Sequence, residues 1–358
     1  MNRTLGKGKI IAGETIEKIL QEKQLIPDFT FTTIKNQQIN FIHRQLPGSD
    51  IYFISNTGDA CQADCRFRIV GKKPQLWNPH TGEITGISVY NTEKDATRIP
   101  LTFEKEGSAI VVFVEGAAEH ISNISWESKP VFSPGQPLDN NFPLSFSDFS
   151  RNKKGDFVMV SSKNSKKLTF VTSSGKTHNL PVKTLPDALN ISKNWTIDFE
   201  PGRGAPGQIK CDTLISWTNH PDKGVNYFSG TASYKKQIFI PKTYLRKELK
   251  IELDLGEVKE LAEVLINGRT VDILWNPPFV AEITRYLVQG NNELEIKITN
   301  TWVNRLIGDK NTPKDQRICR IYSPDPKWYK TSSKLSLSGL LGPVVIRPSE
   351  IVIFKTKY

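Results

Sequence analysis

Hydrophobic and polar residues alternate with a period of two along most of this chain. In "CQADCRFRI", Cys61, Ala63, Cys65, Phe67 and Ile69 share one parity, as expected of a strand with one face buried. Short runs of this kind ("INFIHRQL", "DIYFISN", "TRIPLTF", "AIVVFVEG") recur every 8–12 residues from Thr30 to about Gly116, separated by turn residues. The spacing predicts a β-sandwich over residues 30–117. A second all-β stretch covers 190–358. There "GNNELEIKITN" sets Leu294, Ile296 and Ile298 on one side, and "LAEVLINGRTVDILW" carries Asn267-Gly268, the strongest short hairpin signal. The order of runs predicts a jelly-roll sandwich.

Two segments depart from this pattern. Residues 1–29 read as a strand, "KGKIIAG", and then a helix capped by Thr15 with Glu17 in its first turn. Ile16, Ile19 and Leu20 fall on one face of that helix, and so small a piece needs something to dock on. Residues 118–189, rich in Pro, Ser and Asn, read as a linker with extra strands. The fold class expected is all-β: two β-sandwich domains behind a short strand–helix piece.

Composition narrows the function. The chain has 358 residues, 37% of them hydrophobic, enough to fill real cores. No run of about 18 apolar residues occurs, so no membrane span is expected. "MNRTLGKGKIIAGETIEK" lacks the apolar core of a signal peptide, so no export signal is expected on this chain. That places it in the cytoplasm, or in the periplasm or outside the cell if it is part of an exported enzyme.

The net charge of +11 raises nucleic acid as a partner. The basic residues are scattered ("KNSKK" at 163–167, and pairs at 72–73, 153–154 and 235–236) with no recognition motif, so a solvated basic surface is expected instead. In a strand, Cys61 and Cys65 would stand roughly 13 Å apart. That is too far for a disulfide, whose Cα atoms lie within about 7 Å, so free thiols are expected there. Cys211 and Cys319 are left open as a pair.

No phosphate loop, GxSxG elbow, HExxH or Cys/His cluster is present, and the five histidines stand singly. Aromatic residues gather at strand ends in the second sandwich: Trp217, Tyr227, Phe228, Trp275, Phe279 and Trp302. Indole faces with neighbouring amides and charges suit the flat C–H faces and hydroxyls of sugars. The competing reading is that these rings are core. Two prolines in "WNPPF" force a loop and tilt Trp275 outward. In "TNTWVNRLIGD", Trp302 reads as core, and Arg305 and Asp309, four apart, pair to pin a loop.

The combination "YFSGTA…LDLG…AEV.ING…LW..PF…G.N.LEI…N.W.NRLIGD" resembles the sugar-binding jelly roll of glycoside hydrolase family 2. It is closer still to the C-terminal region of α-L-rhamnosidases of glycoside hydrolase family 106. "SDIYFISNTGDACQADCRFRIVGKKPQLWNPHTGEI" is similar to the sandwich before it, and "GKGKIIAGETIEKIL" to the end of an upstream α/β domain.

The resemblance implies that the second sandwich is galactose-binding-like and that hydrolysis belongs to an upstream barrel, so no catalytic residue is carried over. It implies a non-catalytic carbohydrate-binding and scaffold role. Trp275 and Trp217 would be stacking platforms, and Asn267, Asn304, Arg305 and Asp309 polar contacts. Partners would be a plant or bacterial glycan, rhamnose-containing, and a separate catalytic barrel chain. A purely structural partner and an independent glycoside hydrolase are the alternatives. No cofactor is expected. A structural calcium is common in such sandwiches, but "AEITRYL" has Glu282 where the motif usually has Asp, so no metal site is assigned.

Overall fold

The computed structural model describes residues 3–33, 38–139, 142, 144–152, 154–162, 167–180, 184–319, 330 and 332–355. Most of the basic run "KNSKK" lies outside them. The chain is all-β and divides into two compact units. One holds residues 1–158, 164–182 and 353–358; the other holds 159–163 and 183–352.

Within the first unit, residues 29–115 form two antiparallel sheets. One orders Phe29–Thr32, Cys61–Phe67, Thr97–Phe103 and Asn91–Thr92. The other orders Ile39–Leu46, Ser49–Asn56, Ser108–Glu115, Lys72–Trp77 and Ile84–Gly86. Their inner faces share a core built on Tyr52, Phe67, Val111 and Phe113. Alternation puts Ala63, Cys65 and Phe67 in this core, as the period of two requires.

The outer face of the five-stranded sheet is also apolar. Register places Ile42 beside Phe53, Phe53 beside Ile110, Ile110 beside Trp77 and Trp77 beside Ile84. A row of five apolar side chains thus crosses all five strands, and four of the five are exposed. Sheets apolar on both faces are ordinarily covered on both.

The N-terminal segment differs from expectation, and the extra strands expected within 118–189 pair into a sheet. The N-terminal stretch is a hairpin, Arg3–Leu5 paired with Gly8–Ile10, rather than one strand. Gly6 takes the positive φ the turn demands. The helix Ile16–Glu22 follows, with Thr15 Oγ accepting from the Lys18 N–H at 3.3 Å, but none of its residues is buried. Within 118–189, Lys129–Phe132, Ile121–Trp126, Leu168–Thr172 and Thr177–Asn179 form a four-stranded sheet of their own.

The second unit is built on a six-stranded antiparallel sheet. Its order is Gln208–Thr213, Lys193–Phe199, Thr231–Ile240, Gly290–Thr299, Leu261–Ile266 and Arg269–Leu274. A second sheet, with Val345–Phe354, Leu249–Asp254 and Val280–Glu282 in order, closes over a core that includes Trp195, Trp217, Tyr234 and Phe228. Asn267 (φ 52) and Gly268 (φ 74) make the predicted tight hairpin.

Candidate functional site

Register fixes which loops share an end of the six-stranded sheet. Phe199 pairs with Ala232, Thr231 with Thr299, Thr299 with Leu261, and Ala262 with Leu274. The segments 200–207, 227–230, 275–279 and 300–309 therefore emerge at one rim. Trp275 and Trp302 follow strands separated by a single strand, whose ends lie about 10 Å apart across the sheet. Trp275 is 58% exposed and Trp302 49%. The Arg203 guanidinium sits 4.9 Å from the centre of the Trp302 ring and pairs with Glu200 at 3.3 Å. Asn267 sits at the far end, six residues along the strand, or about 20 Å away.

The segment read as a pinned loop is an α-helix, Val303–Lys310. Its sequence has no proline and spaces Val303 and Ile307 on one side, with Ile307 buried. Trp302 at the N-cap offers no side-chain oxygen, so a neighbour supplies the cap: the Arg305 N–H donates to Ser229 Oγ at 3.1 Å.

Of the four polar residues expected to meet sugar hydroxyls, the three on this helix, Asn304, Arg305 and Asp309, point inward. Asn304, 1% exposed, donates to the Ser336 carbonyl (2.7 Å) and Ser338 Oγ (2.8 Å) and accepts from the Ser336 N–H (2.8 Å). Arg305 Nε lies 3.0 Å from Asp309 Oδ1. That N–H is not aimed along the contact, so the pair is electrostatic rather than hydrogen-bonded. The Arg305 guanidinium also lies 5.7 Å from the centre of the Tyr227 ring. Asp309 accepts from the N–H groups of Ile318 (3.3 Å) and Cys319 (2.7 Å), tying the following segment back to the helix.

The tryptophans exchange their expected places. Trp217, expected as a platform, is 2% exposed and donates from Nε1 to Tyr234 Oη at 2.6 Å. It leaves no ring face for a sugar. Trp302, expected in the core, stands at the rim. Phe228 and Phe279 are core residues.

Two features of this rim went unread in the sequence. Gly204 and Gly224 meet backbone to backbone: a Cβ on Gly224 would fall 1.9 Å from the Gly204 carbonyl oxygen. Arg203, beside that glycine, covers one face of Trp302. The signal lies in "PGRGAPG", whose glycines bracket an arginine, but single residues of this kind carry no period.

The remaining chemistry is quiet. All four cysteines are free, and burial pushes every thiol upward; Asp309 adds to this at Cys319. None is an activated nucleophile. In the first unit His43 spans two carboxylates, with Nδ1 2.9 Å from Asp28 and Nε2 3.0 Å from Asp50. Its ring fills the space between them, so this pair cannot straddle a glycosidic bond. Among the described residues no group of three or more His, Cys, Asp or Glu could hold a metal ion, and no helix is long and apolar enough to cross a membrane.

Residues 1–92 match the family model of glycoside hydrolase family 106, described as α-L-rhamnosidase. The structure of a rhamnosidase from Novosphingobium sp. PP1Y matches 98% of this chain with a TM-score of 0.67 at 29% identity. The first 92 residues are thus similar to the family 106 α-L-rhamnosidases, and the fold to that of a rhamnosidase. A protein of Formosa agariphila named "Putative beta-glucuronidase" is 37% identical over 199 residues, half of this chain. The chain spans 27% of the Novosphingobium rhamnosidase and 17% of the Formosa protein. The likeness to a rhamnosidase structure thus runs through both units of the fold.

Proposed function

We propose that this chain is a carbohydrate-recognising and scaffold region of a rhamnosidase-like glycoside hydrolase, without a hydrolytic site of its own. The observation that carries this is the pair of exposed indoles, Trp275 and Trp302, at one rim of a rigid sheet. Rhamnose is a deoxy sugar whose C6 methyl extends its apolar face, so it suits an indole platform. Asn304, Arg305 and Asp309 hold the rim in place from beneath. Two of the carboxylates there are engaged, Glu200 with Arg203 and Asp309 with Arg305 and two backbone N–H groups, while Glu260, whose N–H donates to the Thr299 carbonyl at this rim, is exposed. One exposed carboxylate beside two engaged ones favours binding over acid–base catalysis, which needs two carboxyl groups flanking one glycosidic bond.

The test is isothermal titration of the purified chain with rhamnose-containing pectic and arabinogalactan oligosaccharides. Weak binding is expected, lost in Trp275→Ala with an unchanged melting temperature. An absence of heat from the wild-type chain would remove the proposal, and turnover of a rhamnoside would replace it with the independent hydrolase.

A second reading, a purely structural partner of a catalytic barrel, is favoured by the apolar row Ile42–Phe53–Ile110–Trp77–Ile84. Such a continuous stripe is the kind of surface that a further folded domain covers. Sedimentation of the isolated chain should then show self-association, relieved by Phe53→Lys. A monodisperse wild-type chain would count against it.

A further inference from the structure

A second concavity lies in the second unit, away from the tryptophan rim. It is an open groove of about 640 Å³, within the roughly 300–1,000 Å³ typical of small-molecule sites. Lys193, Asn194 and Thr213 line it, and Lys193 pairs with Thr213 at the start of the strand Lys193–Phe199. The Trp302 rim lies beyond Phe199, six residues further, or about 20 Å away.

Its lining is polarised. Lys193 and Lys236 both face it, and none of its lining residues is acidic. Lys236 Nζ donates to the carbonyls of Ile191 and Lys193 and lies 5.3 Å from the centre of the Trp195 ring. These partners fix the ammonium but give it no full counter-charge, and burial lowers its pKa accordingly. An anion in the groove would supply that charge.

The other walls suit a sugar ring. Leu214 and Leu341 give apolar surface. Asn190 uses its Oδ1 to accept from the Ser192 N–H at 3.0 Å, which leaves its amide N–H groups to donate. Asn194, held at a φ of 58, places a second amide at the groove.

We propose that this groove binds an acidic oligosaccharide, with Lys236 and Lys193 on the anionic substituent, Asn190 and Asn194 on hydroxyls, and Leu214 and Leu341 under the ring. A carboxylate or a sulfate would satisfy the same lysines. The site is independent of the rhamnose-binding reading, since it shares no residue with the tryptophan rim.

The experiment titrates the purified chain with trigalacturonic acid, its methyl ester and a sulfated neutral trisaccharide. At least one acidic sugar should bind, more weakly as salt rises, and the ester should not. Whichever acidic sugar binds more tightly identifies the substituent. Lys193→Ala and Lys236→Met should each weaken binding about tenfold, the loss of one charge-assisted hydrogen bond. Trp275→Ala should leave it unchanged, which separates this site from the rim. Lys236 ties two carbonyls and its replacement can disturb the fold, so exposed Lys193 is the decisive variant. Equal affinity for ester and acid, wild-type affinity in Lys193→Ala, or inorganic sulfate binding as tightly as the sugars would overturn the proposal.

Discussion

Gly308 offers a prediction whose sign is decided by the structure. It lies inside the helix Val303–Lys310, where glycine is about 1 kcal/mol worse than alanine. On propensity alone Gly308→Ala should stabilise the chain. A Cβ there would lie 2.6 Å from Tyr227 Cγ, 2.8 Å from Tyr227 Cβ and 2.6 Å from Arg305 Nη2. The tyrosine atoms are its stem, anchored beside the backbone, and cannot swing aside as a flexible chain end would. Overpacking of this kind costs about 1–3 kcal/mol. The helix must back away or Tyr227 must shift, and either move disturbs the Arg305 contact with that ring. Two contacts with an anchored stem put the cost at the upper end, about 2–3 kcal/mol, so after the gain of about 1 kcal/mol in propensity the net expectation is a loss of about 1–2 kcal/mol. For a unit of this size it should appear as a fall in melting temperature of about 2–8 °C. Calorimetry of wild type and Gly308→Ala decides it. A melting temperature equal to or above that of wild type would refute the packing argument and leave propensity in charge.

Asn267→Ala should cost about 2–3 kcal/mol, because alanine is strained at positive φ and the bonds to Tyr286 O, Asn292 Oδ1 and the Glu293 N–H are lost. Denaturant titration measures this, and glycan affinity at the opposite rim should not change. Burial holds His120 below its usual pKa, so the folded chain takes up a proton there at lower pH than the unfolded chain, which does so below about pH 6.5. Its contribution to stability is therefore full above that pH and falls as the pH drops through it. His120→Gln should flatten this part of a stability–pH profile between about pH 7 and 5; a profile identical to wild type would show that another group is responsible.

The strands were legible because burial on one face leaves a period of two, and Asn267-Gly268 because only a few residues tolerate its backbone. The helix Val303–Lys310 was not, since eight residues are little more than two turns and its N-cap comes from Ser229, distant in the chain. The candidate site was legible in kind and only partly in identity. Trp275 was placed outward by its prolines, a local cause. Trp217 and Trp302 exchanged roles because the environment of each is set by partners far away in sequence, Tyr234 for one and Arg203 for the other. Asn304, Arg305 and Asp309 were found as a group, but their inward direction depends on Ser336, Ser338 and Cys319. A polar residue's composition does not say which way it faces.

The contact of Gly204 with Gly224 has a consequence for how such a surface diversifies. Where two main chains touch with no side chain between them, no substitution at the contact is neutral, so the two loops are inherited as one frame. Variation is then confined to the residues that the frame displays, Arg203 and Trp302 among them. Descendants of this fold can change the surface presented at this rim by exchanging those side chains while the support beneath stays as it is.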